Sequence, residues 1–171
     1  MSGHAVRSGD RIDDRALRDA FGAFPTGVTV VTVGAPVAHG MTANSFTAVS
    51  LSPPLLLICV HRQALMHGLL GIGTAFGISV LAEDQRGLAG YFSDRSRPGG
   101  TAQFHDAATV AGRCTGVPLI AHALAQFECE VRHRHDGGDH TIVVGGVLSL
   151  HRADGEPLIF RSGRYGTTNA H

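Results

Sequence analysis

The sequence predicts a mainly β fold, an antiparallel barrel with appended helices. The strand-like segments are mostly sequential and joined by turns. The helical segments are short and about three in number. Strand and long helix do not alternate, as they must in a doubly wound parallel sheet.

The elements follow in order. Residues 1–12 are polar and carry Gly and Ser, which reads as a flexible tail and leaves 13–171 as one domain. Asp10 or Asp13 can cap a first helix, in which Ile12, Ala16, Leu17, Ala20, Phe21 and Phe24 recur at helical spacing. Pro25-Thr26-Gly27 stops that helix. VTVVTV at 28–33 is β-branched and predicts a strand. A Gly/Ala/Pro turn at 34–36 leads into a second strand over 37–50, which makes a hairpin.

Ser52-Pro53-Pro54 breaks the chain, and LLLICV at 55–60 predicts a strand buried on both faces. A helix over 64–70, a strand over 75–81 and a helix over 83–92 come next, with Leu88, Tyr91 and Phe92 toward the core. The polar stretch 93–105 is long for a compact domain, hence a functional or mobile loop. The strand over 124–134 alternates, with Phe127, Cys129 and Val131 on one half-buried face. Asp136-Gly137-Gly138 is a turn, 140–151 a long strand, Asp154-Gly155 a hairpin turn and 157–161 the final strand.

Composition narrows the function. All 14 basic residues are arginine. Without lysine there is no Walker A phosphate loop and no pyridoxal-phosphate Schiff base. Net charge is zero with no basic block, which argues against nucleic acid as a main partner. Charged residues are only 16%, as on a surface partly covered by a second subunit; a neutral Gly/Ala-rich monomer is the alternative. The cysteines Cys59, Cys114 and Cys129 are odd in number and form no CxxC pair, which fits a reducing cytoplasm. The N-terminal stretch has no signal-peptide core, and no apolar run reaches membrane-span length.

Several motifs are weak alone. Gly71, Gly73 and Gly77 follow GxGxxxG after a helix and before a strand, the wrong context for a dinucleotide fold. His133 and His135 read as exposed strand-end residues, and no zinc spacing or HExxH motif is present, so no metal is expected. The stretch 41–54 places hydroxyls or an amide at 42, 44, 45, 47, 50 and 52 among small residues. It suits a polar planar ligand, or else a solvated edge strand. Arg62 can clamp a phosphate from the end of its strand, or lie idle on the surface. Gly138-Asp139-His140 can turn the chain, fix an imidazole tautomer and present the ring.

Taken together in this order, FGAFPTGVTVVTV, GMTANSFTAVSLSPPLLLICV, GISVLAEDQRGLAGYFS, GDHTIVVGGVLSL and PLIFRSGRYGTT resemble the flavin reductase-like family over about residues 15–168. That resemblance implies a Greek-key split β-barrel of the FMN-binding type and a homodimer with flavin near its interface. It implies NADH, with NADPH as the alternative, as hydride donor to FMN or FAD. The reduced flavin would serve a partner flavin-dependent monooxygenase.

By the same resemblance, Thr26, Thr42, Ala43, Asn44 and Ser45 surround the isoalloxazine and ribityl chain. Ser50, Leu51, Ser52 and Arg62 surround the phosphate, and Phe92 closes over the flavin. His140 serves as the catalytic residue, orienting the nicotinamide, with Arg164 and Tyr165 in the same region. His61 and Gln63 depart from the family's usual Asp or Asn and Ser, which leaves FMN against FAD open. A non-catalytic flavin- or haem-binding carrier or sensor is the competing reading. An enzyme that keeps its FMN and reduces a substrate of its own is a third.

Overall fold

The computed structural model describes residues 12–168. The proposed cap Asp10 and nearly all of the proposed tail lie outside that range. Helix α1 spans Asp14–Gly22, and Asp13 caps it, its carboxylate accepting from the Ala16 N–H at 2.9 Å. No residue of α1 is buried, and Phe21 and Phe24 are 69% and 75% exposed.

Strands β1 (Thr26–Gly27), β2 (Thr29–Val33), β3 (His39–Ala43), β4 (Thr47–Leu51) and β5 (Pro54–His61) follow. Then come α2 (Leu65–Leu69), β6 (Ala75–Val80), a 3₁₀ turn at Glu83–Gln85 and α3 (Arg86–Ser93). A second 3₁₀ turn, Gly100–Phe104, precedes β7 (Thr109–Ala111), β8 (Pro118–Ile120), β9 (Ala125–Gly137), β10 (His140–Arg152), β11 (Ile159–Arg161) and β12 (Arg164–Gly166).

Seven strands form one antiparallel sheet in the order β3-β2-β6-β9-β10-β5-β4. Its two edges are consecutive in the chain. Ala43 pairs with Thr29 on β2, while Thr47 pairs with Leu57 on β5. Four residue steps span at most about 14 Å, whereas six strand spacings of a flat sheet span about 29 Å. The sheet must therefore curl until its edges meet, and residues 44–46 step across the seam. This is the expected split barrel. It also corrects the single strand over 37–50, which is two strands on opposite edges. Ser45 ties the seam: its hydroxyl donates to the Cys59 carbonyl and accepts from the Cys59 N–H, both at 3.0 Å.

Two apolar clusters flank the sheet. Inside the barrel Val31, Ile58, Val60, Phe76, Ile78 and Val143 meet Met66 and Leu70 from the α2 region. Outside, Val28, Val30, Leu81 and Leu158 meet Ala89 and Phe92 of α3. The strand buried on both faces is thus β2, and β5 alternates between buried and half-buried. Thr29 and Thr32 survive inside because their hydroxyls donate to the Ala43 and Pro118 carbonyls. Cys129 is buried beside this core, and burial pushes its thiol up to about 12.

β9 and β10 pair antiparallel, with register shifts at Val144/Gly145 and Val147/Ser149. A Cβ on Gly145 would stand 2.5 Å from Phe76 Cζ. Gly145→Ala is therefore expected to destabilise the fold by about 2 kcal/mol through overpacking, read as a lower urea midpoint.

The hairpin turn is Gly138-Asp139, since Gly137 already pairs with His140. Gly138 takes φ +76, as the first central residue of such a tight turn can require. Asp154-Gly155 makes no hairpin, because β11 pairs with β1 and β12 instead of β10. The loop after α3 is pinned. Gln103, fully buried, accepts from the Gly40 N–H at 2.8 Å and donates to the Ala38 and Gly100 carbonyls. No helix among the described residues is long and apolar enough to cross a membrane.

Candidate active site

Register creates the site. The last residue of β5, His61, pairs directly with the first of β10, His140. Their rings meet edge to face, with centroids 5.0 Å apart. His140 Nδ1 lies 2.7 Å from Asp139 Oδ1. A carboxylate only accepts, so Nδ1 carries the proton and Nε2 is the free nitrogen. The hydrogen bond from His140 holds the Asp139 carboxyl below its usual range.

Arg62 braces this turn. Its N–H donates to the Asp139 carbonyl at 3.0 Å, and its guanidinium meets Asp136 Oδ1 at 2.5 Å. Asp136 also accepts from the Gly138 N–H, which with Arg62 holds its carboxyl low. The arginine expected at a phosphate is an anchor of the turn in this structure.

Beside His61 opens a cavity of about 480 Å³. His39, Met41 and Thr42 form one wall, His61 and Gln63 another, and Phe92, Arg95 and Arg97 a third. Thr42 donates to the Ala89 carbonyl at 2.7 Å, which keeps its lone pairs available. Arg97 donates to the Gly40 and Asp94 carbonyls and lies over the Phe92 ring. Burial pushes the His39 imidazole below its usual range, and Arg97 adds to that.

The expected site residues are only partly brought together. Thr42 and Phe92 share the cavity, and His140 adjoins it through His61. Two of them carry structural contacts of their own. Ser45 serves the seam with its hydroxyl, because both backbone groups of Cys59 face it. Phe92 is fully buried against Phe104 and Tyr91, which fixes its ring behind the cavity wall. Ala43 is nearly buried, its carbonyl taken by Thr29, while Asn44 is exposed at the seam.

Ser50, Leu51 and Ser52 stand at the β4–β5 connection, outside the cavity of a single chain. Ser50 Oγ accepts from the Ser52 N–H at 3.2 Å, and Leu51 is 97% exposed. Thr26, Arg164 and Tyr165 belong to the separate β1-β11-β12 sheet. Tyr165 meets Phe160 at a tilted angle, with Arg86 over its ring, and packs on the outer cluster that contains Phe92. The Thr26 hydroxyl is buried without a partner. The donor set fits a flavin: an unused threonine hydroxyl, an exposed amide at Asn44, lone pairs on Thr42 and a mostly apolar cavity that carries Arg95 and Arg97 and no carboxylate. His39, His61 and Gln63 escaped the reading of the residues as ligand-site candidates, whereas Arg95 and Arg97 stood out as arginines that could meet a nucleotide 2′-phosphate or lie on the surface. His61 and Gln63 stood out only as departures from the family pattern.

The domain model of the flavin reductase-like family matches residues 21–169. The chain belongs to the flavin reductase-like family. An NADH-dependent FAD reductase of Streptomyces globisporus is 50% identical to this family member over 157 residues, 91% of this chain and 86% of that protein. The FMN reductase (NADH) SmoA of Agrobacterium fabrum is 43% identical over 90% of this chain and 86% of its own. Among solved structures, BorF, the flavin reductase component of a bacterial two-component tryptophan halogenase, superposes with TM-score 0.86 at 49% identity. It covers 91% of this chain and 98% of that one. The Streptomyces globisporus NADH:FAD oxidoreductase SgcE6, solved with NAD and FAD fragments, gives TM-score 0.85 at 45% identity, over 95% of this chain and all of that one.

Proposed function

We propose that this protein is an NADH:flavin oxidoreductase that supplies reduced FMN or FAD to a separate flavin-dependent monooxygenase or halogenase. The observation that carries the reading is His140, locked by Asp139 and set beside the cavity through His61. The bound flavin supplies the acceptor for the nicotinamide hydride. The protein's share is to bind, orient and exclude water. Thr26, Thr42 and Asn44 would hold the ring and ribityl chain. Ser50 and Ser52 would serve the phosphate, and His140, Arg164 and Tyr165 the nicotinamide.

NADH is favoured over NADPH. Of the two cavity arginines that could meet a 2′-phosphate, Arg95 and Arg97, the second already serves two backbone carbonyls and an aromatic face. A homodimer is supported by apolar surface that one chain leaves open: Phe21, Phe24, Leu51 and Leu150. Its three free cysteines suit a reducing cytoplasm.

The test is steady-state NADH oxidation without flavin, then with FMN, then with FAD. Oxidation that saturates in free flavin is expected, and the better flavin names the substrate. Flavin binding with no oxidation of either nucleotide would overturn the reductase in favour of a carrier. Light scattering on the same sample is expected to give twice the chain mass, and a single-chain mass would remove the dimer.

A further inference from the structure

His61 is tied from three sides. Its Nδ1 accepts from the Gln63 N–H at 3.1 Å, so a neutral His61 carries its proton on Nε2. That Nε2 stands 4.0 Å from Asp139 Oδ2, within reach of an ion pair but beyond a hydrogen bond. The other oxygen of the same carboxylate accepts from His140 Nδ1. The two imidazoles thus share Asp139, and their rings meet at 86°.

Asp139 alone is a poor clamp. Its side chain is 78% exposed on a two-residue turn, where a single contact holds a partner weakly in water. The torsion that turns an imidazole about its Cβ–Cγ bond is broad, so one hydrogen bond leaves the ring plane loose. The edge of a second ring supplies what is lacking. Cross-strand register brings the two side chains together whatever ligand is present. The Arg62 N–H on the Asp139 carbonyl fixes the turn beneath them.

We propose that His61 is a positioning residue of the nicotinamide site: through Asp139 and its own ring edge, it keeps His140 in one rotamer and one tautomer, with Nε2 free for the nucleotide. This rests on the reductase reading for the identity of the nucleotide, and on geometry alone for the coupling of the rings.

A double-mutant cycle tests it, with KM and kcat for NADH measured at saturating flavin. His61→Ala and Asp139→Ala are each expected to raise KM for NADH about five-fold, with kcat and flavin affinity changed less than about two-fold. The double variant should be no worse than the weaker single, because both act through one ring. In a His140→Ala background, His61→Ala should change nothing. Additive losses, or a loss that persists without His140, would overturn the proposal.

Imidazole ¹⁵N NMR gives a readout independent of turnover. The Nδ1-protonated form of His140 should dominate in the parent protein and give way to a mixture in His61→Ala. An unchanged His140 spectrum in that variant would also overturn the proposal. Failure of the parent protein to oxidise NADH would sink the reductase reading and leave the NMR outcome to decide the coupling.

Discussion

Glu128→Ala is expected to lower the unfolding free energy by about 3 kcal/mol, because four hydrogen-bond donors lose their charged acceptor. The corresponding fall in Tm is roughly 10 °C. Glu128 lies on β9 and is 2% exposed. Four donors converge on its carboxylate: the N–H groups of Cys114 and Thr115, the Thr115 hydroxyl and the Ser149 hydroxyl. Together they fasten the β7–β8 connection to the barrel wall. Removing the carboxylate leaves those part-buried donors without their acceptor.

The same network sets a pH dependence. Burial alone would raise the Glu128 carboxyl, but the hydrogen bonds from Thr115, Ser149 and Cys114 outweigh it and hold the group at about 2. Its ordinary value is 4.5. A depressed folded-state value contributes stability that is present above the unfolded value and is lost as pH falls toward the folded one. The gap corresponds to about 3 kcal/mol, given up between about pH 4.5 and pH 2. Glu128→Gln should flatten the acid limb of the urea-midpoint profile across that window and cost about 2 kcal/mol at pH 7, since its amide turns an N–H toward other donors. An unchanged midpoint in Glu128→Ala would remove the network from the account.

Glu128 also marks where the sequence stops being legible. AQFECEVR alternates, and alternation assigns one face to the core and the other to water. Cys129 and Val131 obey that rule. Gln126 and Glu128 are buried as well, because Cys114, Thr115 and Ile120 arrive over them from a separate pair of short strands. No periodicity within a strand reports what will cover it. The seam is hidden for the same reason: residues 37–50 read as one extended run, and only barrel closure decides that Ala43 and Thr47 pair on opposite edges. β1 and β12, of two and three residues, are too short to carry a period. Turn chemistry is local, so Gly138-Asp139 and the His140 beside it are readable. Arg97 and Gln103 bond residues about sixty positions away, and their sequence surroundings look like an ordinary polar loop.

The second large effect falls on His140. His140→Ala is expected to lower kcat/KM for NADH by about 10- to 100-fold while leaving the flavin Kd within about two-fold. With Nδ1 donating to Asp139, the free Nε2 of a neutral ring is an acceptor, suited to the amide N–H of a nicotinamide. Losing one such contact costs binding. Losing the alignment it enforces costs rate as well, because hydride transfer needs the two rings at near-contact distance. The flavin should be spared, since His140 pairs with His61 on the β5 side, while Thr26 lies on another sheet and Thr42 is bonded to α3. Steady-state kinetics in NADH, set beside flavin titration by fluorescence quenching, separates the two. A flavin Kd that rises in step with KM for NADH would place His140 on the flavin instead, and the nucleotide would then have to be sought around Arg164 and Tyr165.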